Sequence, residues 1–227
     1  MGLRPISSAS RRRCSRLVLT LIFIYFSFHD RFMARGKNDL ILRDRLQFTL
    51  DANGDLPVVY GRIDLSDYVS VVNNEGLSIK EMRIQVRDPA LANTGTFNPD
   101  LIANIAGTGV AKGTMTIYGT TTAYESAVDV GIGSPNTFFQ AEYVTFSAKE
   151  AGASAPSFTN VDYYQYGTPD LHPEGYVVVS DVLVGIAAND AKAYIDDTLE
   201  LDVMLIAEPV KVTKNELKEM LAQATDL

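Results

Sequence analysis

The sequence predicts an all-β protein, a sandwich or barrel, because strand-like alternation fills most of residues 40–212. Leu46, Phe48 and Leu50 alternate with polar residues, and the same pattern recurs later in this span. A period of two places one set of side chains on a core face and the other towards water. Turn residues such as Asn53-Gly54 separate these segments, and Asn-Gly is a strong hairpin signal.

Two long connections point to the topology. Residues 89–109 and 149–175 are rich in Gly, Pro, Ala, Ser and Asn. Long connections are needed where consecutive strands belong to opposite sheets, as in Greek-key and jelly-roll folds, whereas an up-and-down barrel has short, even turns. We therefore predict a jelly-roll/Greek-key β-sandwich in one domain, residues 38–212, with a short C-terminal α-helix.

The predicted strands follow the alternation and end at turn residues. Asp88-Pro89, for example, ends the third strand, because proline cannot donate to a ladder. The expected strands are residues 40–51, 56–72, 78–87, 110–122, 125–132, 138–148, 160–166, 176–188, 198–206 and 209–212.

The C-terminal segment, residues 213–227, is the predicted helix. Thr213 and Glu216 have the spacing of a capping box. Four apolar residues then fall on one helical face: Leu217, Met220, Leu221 and Ala224. This face should cover either the end of its own sandwich or a neighbouring subunit, and both remain open.

The N-terminal segment, residues 1–37, differs in character from the rest. A basic cluster precedes twelve apolar or weakly polar residues, 17–28, as in a signal peptide or anchor. Alternatively, translation starts at Met33. The sequence leaves both alternatives, and any membrane association, open.

Charge and cysteine content exclude several function classes. Residues 1–32 hold six arginines and one aspartate, and the whole chain has 20 basic and 28 acidic residues, so residues 33–227 have a net charge of −13. Such an acidic domain repels phosphate backbones, which argues against strong nucleic-acid binding. The single cysteine, Cys14, lies in the leader, which excludes disulfides and thiol catalysis in the domain.

No pattern in the domain predicts catalysis or a cofactor. Asp51, Asn53 and Asp55 resemble the start of a calcium loop, but the closing position is Arg62, and the same residues favour a hairpin turn. His172, the only histidine in the domain, has no accompanying nucleophile motif. We predict that the protein is not an enzyme and needs no cofactor.

Tyr163, Tyr164 and Tyr166 form the densest aromatic cluster. They are explained either by packing within a strand or by an exposed binding or interface patch. We treat them as candidate interface residues, together with the apolar face of the C-terminal helix.

The segment from Tyr176 to Val212 resembles the last strands of single jelly-roll major capsid proteins of icosahedral archaeal and bacterial viruses, and residues 38–213 have the matching size. The resemblance implies a self-assembling shell protein in the virion, with homo-oligomeric partners. Arg35 and Lys37, in a weakly basic arm, are candidate assembly residues, and we expect residues 33–45 and 213–227 to be assembly arms. The alternative is an extracellular or cell-surface binding module for carbohydrate or protein.

Overall fold

The computed structural model describes residues 39–91, 100–102, 109–156, 158–166 and 175–223. Nine strands, two short 3-10 helices and one α-helix lie in these residues. The strands are β1 (Leu40–Thr49), β2 (Leu56–Ile63), β3 (Glu75–Arg87), β4 (Gly109–Thr120), β5 (Thr137–Lys149), β6 (Phe158–Tyr166), β7 (Tyr176–Val178), β8 (Val182–Asn189) and β9 (Thr198–Lys211). The 3-10 helices are Ala127–Asp129 and Lys192–Tyr194, and α1 is Lys214–Gln223.

The strands form two antiparallel sheets in jelly-roll order. Sheet A has the order β1-β9-β3-β7, and sheet B has the order β2-β8-β4-β5-β6. Strands that follow each other in the chain, such as β1 to β4, alternate between the sheets, as two interlocked Greek keys require. The predicted jelly-roll sandwich with a C-terminal helix is confirmed. A jelly roll has eight strands, and β6 is a ninth strand at the end of sheet B.

The alternating pattern of each strand defines the core. In β1, Leu40, Leu42, Leu46 and Phe48 point inward, whereas Ile41 and Arg43 are exposed. The core combines inward residues of both sheets, including Leu77, Ile79, Met82, Met115, Ile117, Phe139, Val184, Ile186, Leu201 and Leu205. Burial of these side chains is the main force that holds the sheets face to face.

Two glycines permit close approach of bulky neighbours. A Cβ at Gly61 of β2 would lie 1.5 Å from Cδ2 of Leu46, so the Leu46 side chain of sheet A occupies the space that a side chain at position 61 of sheet B would need. A Cβ at Gly185 would lie 2.3 Å from Cζ of Tyr118, which is fully buried on the outer side of sheet B. At both positions the absence of a side chain is a packing requirement.

Two predicted strands are wrong in extent or type. The strand predicted at 56–72 ends at Ile63, and turns follow it. The strand predicted at 125–132 does not form, because Ser126 begins a 3-10 helix by accepting a hydrogen bond from the Val128 N–H at 3.3 Å. Val128 and Ile132 are exposed there, so apolar residues without a partner strand gave a false signal.

Two further boundaries are corrected by sheet pairing. The single strand predicted at 176–188 is two strands, since β7 pairs with β3 in sheet A and β8 pairs with β2 and β4 in sheet B. The strands predicted at 198–206 and 209–212 are one, β9, which continues through Pro209. The pairing of β9 with β1 ends at Ala207, so no β1 residue lies opposite Pro209 to accept a hydrogen bond that proline cannot donate.

Candidate assembly surface

Four strands form the sheet edges in the described part of the chain, and three of them are protected against pairing with other chains. β1 carries Arg43, Asp44 and Arg45. β2 contains Pro57 and an irregular register between Leu56 and Val59. β7 is only three residues long. Charges, proline, bulges and short length are the features that natural edge strands use to prevent edge-to-edge association.

The fourth edge strand, β6, has almost none of these features. It is nine residues long, contains no proline, lysine or arginine, and has one charged residue, Asp162. Its register with β5 runs without interruption from Ala148↔Phe158 to Gln140↔Tyr166. An edge of this length and composition is a template for another strand.

The outer face of β6 presents exposed aromatic rings around the single carboxylate. Phe158 is 59% exposed and Tyr164 is 44% exposed. The Tyr164 hydroxyl donates to Asp162 at 3.3 Å, and the Asn160 amide donates to Asp162 at 2.6 Å. The negative charge of Asp162 raises the pKa of Tyr164. Tyr164 and Tyr166 stack with ring centroids 6.3 Å apart.

The inner face of β6 is only partly covered by sheet A. Tyr163 packs against Tyr143 of β5, with ring centroids 4.7 Å apart, and is still 44% exposed. Burial raises the pKa of Tyr143 to about 12 and also raises the pKa of Tyr163. Beside Tyr163 lies a cleft of about 290 Å³, lined also by Met82 and Ile84. β7 pairs only with Leu77–Ile79 of β3, which leaves this side of the sandwich less covered.

An apolar patch, which we define as Val110, Phe146, Ala148 and Phe158, continues from β6 across the outer side of sheet B. Val110, Ala148 and Phe158 are direct neighbours in one row of the sheet. Phe146 lies in the next row, with the Lys112 ammonium 5.6 Å from its ring centroid. Val110 is 75% exposed and Phe146 is 39% exposed. Clustered exposed apolar side chains mark interaction surfaces more often than scattered ones.

The outer side of sheet A is charged instead. Arg45 contacts Asp202 at 2.5 Å and Glu200 at 3.5 Å, and Arg87 reaches Asp202 at 3.3 Å. The hydrogen bond from Arg45, with further help from Arg87, lowers the pKa of Asp202. A shallow groove of about 780 Å³ runs along this face. Paired charges on a sheet face are typical of a solvated surface.

The C-terminal helix packs on its own sandwich. Thr213 Oγ1 accepts from the Glu216 N–H at 3.3 Å, while Glu216 accepts from the Thr213 N–H at 2.8 Å, so the predicted capping box is present. Leu217 is buried with Val179 and Val212, and Met220 packs at the margin of this cluster. Leu221 is 37% exposed, and Ala224 lies outside the described residues.

The loop that resembles a calcium site is a turn held by its own side chains. Asp51 Oδ1 accepts from the N–H groups of Asn53 and Asp55, each at 2.8 Å, and these bonds lower the pKa of Asp51. Asp55 Oδ1 accepts from the Asp190 N–H at 2.8 Å. Within the described ranges, no group of three or more His, Cys, Asp or Glu side chains could hold a metal ion.

The structure unites some predicted site residues and leaves others apart. Tyr163, Tyr164 and Tyr166 share β6, but Tyr163 points to the opposite face. Arg35, Lys37 and His172 lie outside the described residues. The apolar patch was missed, because the strand was predicted to start at residue 160, after Phe158.

In the described part of the chain, no helix is long and apolar enough to span a membrane.

Neither a protein-family model nor a curated protein matches the sequence. Among solved structures, the chain is similar to one of the Merkel cell polyomavirus virus-like particle, with 10% identity, a TM-score of 0.35, and coverage of 80% of this chain and 78% of that one. It is also similar to VP1 of Trichodysplasia spinulosa-associated polyomavirus, with 8% identity, a TM-score of 0.30, and coverage of 75% and 95%. Because both TM-scores are below 0.5, the jelly-roll assignment rests on the strand order given above.

Proposed function

We propose that this protein is a structural subunit that associates with copies of itself to form a shell, as a viral capsid protein located in the virion. The unprotected β6 edge, continuous with the apolar patch, is the observation that carries the proposal. A jelly roll with such a surface is suited to subunit contacts. The resemblance of Tyr176–Val212 to capsid proteins supports the same conclusion.

The apolar patch supplies a favourable free energy for association. The exposed fractions of Phe146 and Phe158, 39% and 59%, add up to about one whole aromatic side chain. An aromatic side chain has about 150–250 Å² of surface, and burial contributes about 25 cal/mol per Å². The two rings alone therefore offer about 4–6 kcal/mol, before the entropic costs of association are subtracted.

The acidic charge makes this association dependent on salt. The chain has a net charge of −8, so copies repel each other at low ionic strength. Screening by salt reduces the range of this repulsion, the Debye length, to about 10 Å at 0.1 M salt and about 3 Å at 1 M salt. We expect assembly to increase with salt, in contrast to binding of nucleic acid, which weakens as salt rises.

Electron microscopy and light scattering of the purified full chain test the proposal. We expect closed particles or regular lattices whose amount rises with protein and salt concentration. The double variant Phe146→Ser, Phe158→Ser should assemble more weakly, while Val128→Ser, which removes an exposed apolar side chain elsewhere, should assemble like the wild type. A wild-type chain that stays monomeric from low to high salt would refute the proposal.

A binding module for carbohydrate is the second candidate, and the stacked pair Tyr164–Tyr166 beside Asp162 favours it. Aromatic faces next to a hydrogen-bond acceptor are suited to hold sugar rings. The same preparation distinguishes the two functions. A persistent monomer that binds oligosaccharides in a titration, and loses this binding with Tyr164→Ala, would support the module over the shell.

A further inference from the structure

We infer that two copies of the chain join through antiparallel pairing of their β6 strands, with a two-fold axis at Val161. The inference rests on the proposed self-association and specifies its contact. Joining two five-stranded sheets at β6 would create one continuous sheet, with both apolar patches on the same side. The partner is thus a second copy, bound by main-chain hydrogen bonds and a defined set of side-chain pairs.

The choice of β6 follows from the comparison of the four edges. β1 has three successive charged residues, 43–45, β2 has Pro57 and a register irregularity, and β7 has only three residues. β6 alone among them combines nine residues, an uninterrupted register with β5 and a single charge. A second copy of β6 can therefore align over its length without proline or a bulge in the way.

The register follows from the position of that charge and of the exposed rings. An axis at Asp162 would place two carboxylates directly opposite each other, which is destabilising. An axis at Val161 pairs Asn160 with Asp162 of the other copy, so an amide donor faces the carboxylate. It also pairs Phe158 with Tyr164 of the other copy, and aromatic cross-strand pairs are favourable.

Two other symmetric registers near Val161 are less favourable. An axis at Asn160 would place the apolar ring of Phe158 opposite the Asp162 carboxylate of the other copy. An axis at Tyr163 would pair Val161 with Gln165 and would leave Phe158 without a partner. Phe158 is the most exposed aromatic residue of β6, at 59%. Burial of apolar surface therefore favours the axis at Val161.

The size of the contact indicates a weak dimer that a lattice reinforces. The exposed fractions of Phe158, Tyr163 and Tyr164 are 59%, 44% and 44%, so two copies bring together about three aromatic side chains, or about 450–750 Å². Stable specific interfaces bury at least about 1,200 Å² in total. Pairing of β6 should therefore depend on concentration and become persistent only where further contacts act with it.

Cysteine cross-linking in the full chain tests the register. In a Cys14→Ser background, which has no other cysteine, Val161→Cys should give a disulfide-linked dimer on mild oxidation. Opposite Cα atoms of an antiparallel pair are about 4.5–5.5 Å apart, within the range of about 4.4–6.8 Å that a disulfide bridges. Tyr163→Cys is the matched control, because its two copies would be four residues, about 14 Å, apart along the strand.

The outcomes separate this inference from the proposed function. Cross-linking at position 161 and not at 163 supports the pairing. Wild-type particles together with no cross-link at 161, or with a stronger one at 163, overturn the inference and leave the shell proposal intact. Cross-linking at 161 in a chain that forms no particles under any salt condition supports the dimer and refutes the shell.

A charge on the strand provides a second measurement that needs no disulfide. Asn160→Asp adds a carboxylate with almost no change in side-chain size, and the proposed register places it directly opposite Asp162 of the other copy on both sides of the axis, where like charges are destabilising. We expect at least a tenfold higher concentration threshold for assembly. Thr49→Asp, which adds the same charge at the exposed end of β1, should leave the threshold unchanged. Equal thresholds for Asn160→Asp and the wild type would overturn the inference.

Discussion

The packing of Tyr118 over Gly185 gives a sharp prediction for the stability of the sandwich. Alanine at Gly185 would place its Cβ 2.3 Å from Cζ, 2.4 Å from Cε2 and 2.7 Å from the hydroxyl oxygen of Tyr118. The ring cannot move outward freely, since Tyr118 is fully buried and its hydroxyl lies 2.8 Å from that of Tyr60. The Tyr60 hydroxyl is itself held by the backbone of Tyr124, at 2.7 Å and 2.9 Å.

The expected loss follows from two costs and one gain. Overpacking a well-packed site costs about 1–3 kcal/mol, and a displaced Tyr60–Tyr118 hydrogen bond costs about 1 kcal/mol. Alanine in place of glycine reduces the entropy of the unfolded chain, which returns about 0.4–1 kcal/mol. We expect a net loss of about 2 kcal/mol, equivalent to a fall in Tm of about 4–8 °C for a chain of this size.

Thermal and urea unfolding of Gly185→Ala measures this loss, with Gly131→Ala as the control. A Cβ at Gly131 meets no atom within 4 Å, so Gly131→Ala should keep the wild-type Tm. The double variant with Tyr118→Leu should lose less than the sum of the single variants, because alanine then fills part of the space that the ring leaves. A Gly185→Ala protein with a wild-type Tm would refute the packing argument.

Three further predictions concern the charged face and the C-terminal helix. Arg45 lowers the pKa of Asp202, so the stability from this pair is fully present above the pKa of an unfolded aspartate, about 3.9, and is lost as the pH falls through the lowered folded pKa. Asp202→Asn should therefore flatten the fall of Tm between about pH 5 and pH 2. An unchanged slope of Tm against pH would contradict this prediction. Thr213→Ala should cost about 1 kcal/mol and speed amide exchange in α1, without effect on exchange in β3. Leu217→Ala should release the helix from the sandwich and lower the free energy of unfolding by about 2–3 kcal/mol, and proteolysis near residue 213 should detect the release. Lys218→Ala, at an exposed position of the same helix, should leave proteolysis unchanged.

Much of the local structure could be predicted from the sequence because it depends on residues close together in the chain. Alternation predicted β1, β3 and β5 nearly to their ends, and the Thr213–Glu216 spacing predicted the cap of α1. The errors arose where local signals were incomplete. Exposed Val128 was mistaken for a strand residue, and the corner at residues 179–181, which sends β7 and β8 into different sheets, has no local proline or glycine to mark it.

The candidate surface was predicted only in part, because the pairing of its strands is not marked by local signals in the sequence. The three tyrosines of β6 were recognised, but which face each presents depends on the pairing of β6 with β5. The apolar patch unites Val110, Phe146 and Phe158 from three strands, and only the register places them in adjacent rows.

The amino-acid sequence by itself determined that this protein is built from antiparallel strands with one face buried, because a period of two is a local property of the chain. It also determined the acidic charge and the helical end. Among the residues that the structure describes, the tertiary structure decided which strands form edges, that Tyr118 packs over Gly185, and that β6 is left unprotected. These features depend on partners far apart in the chain, such as Leu40 opposite Ala207, and the alternation of side chains specifies a face but not a neighbour.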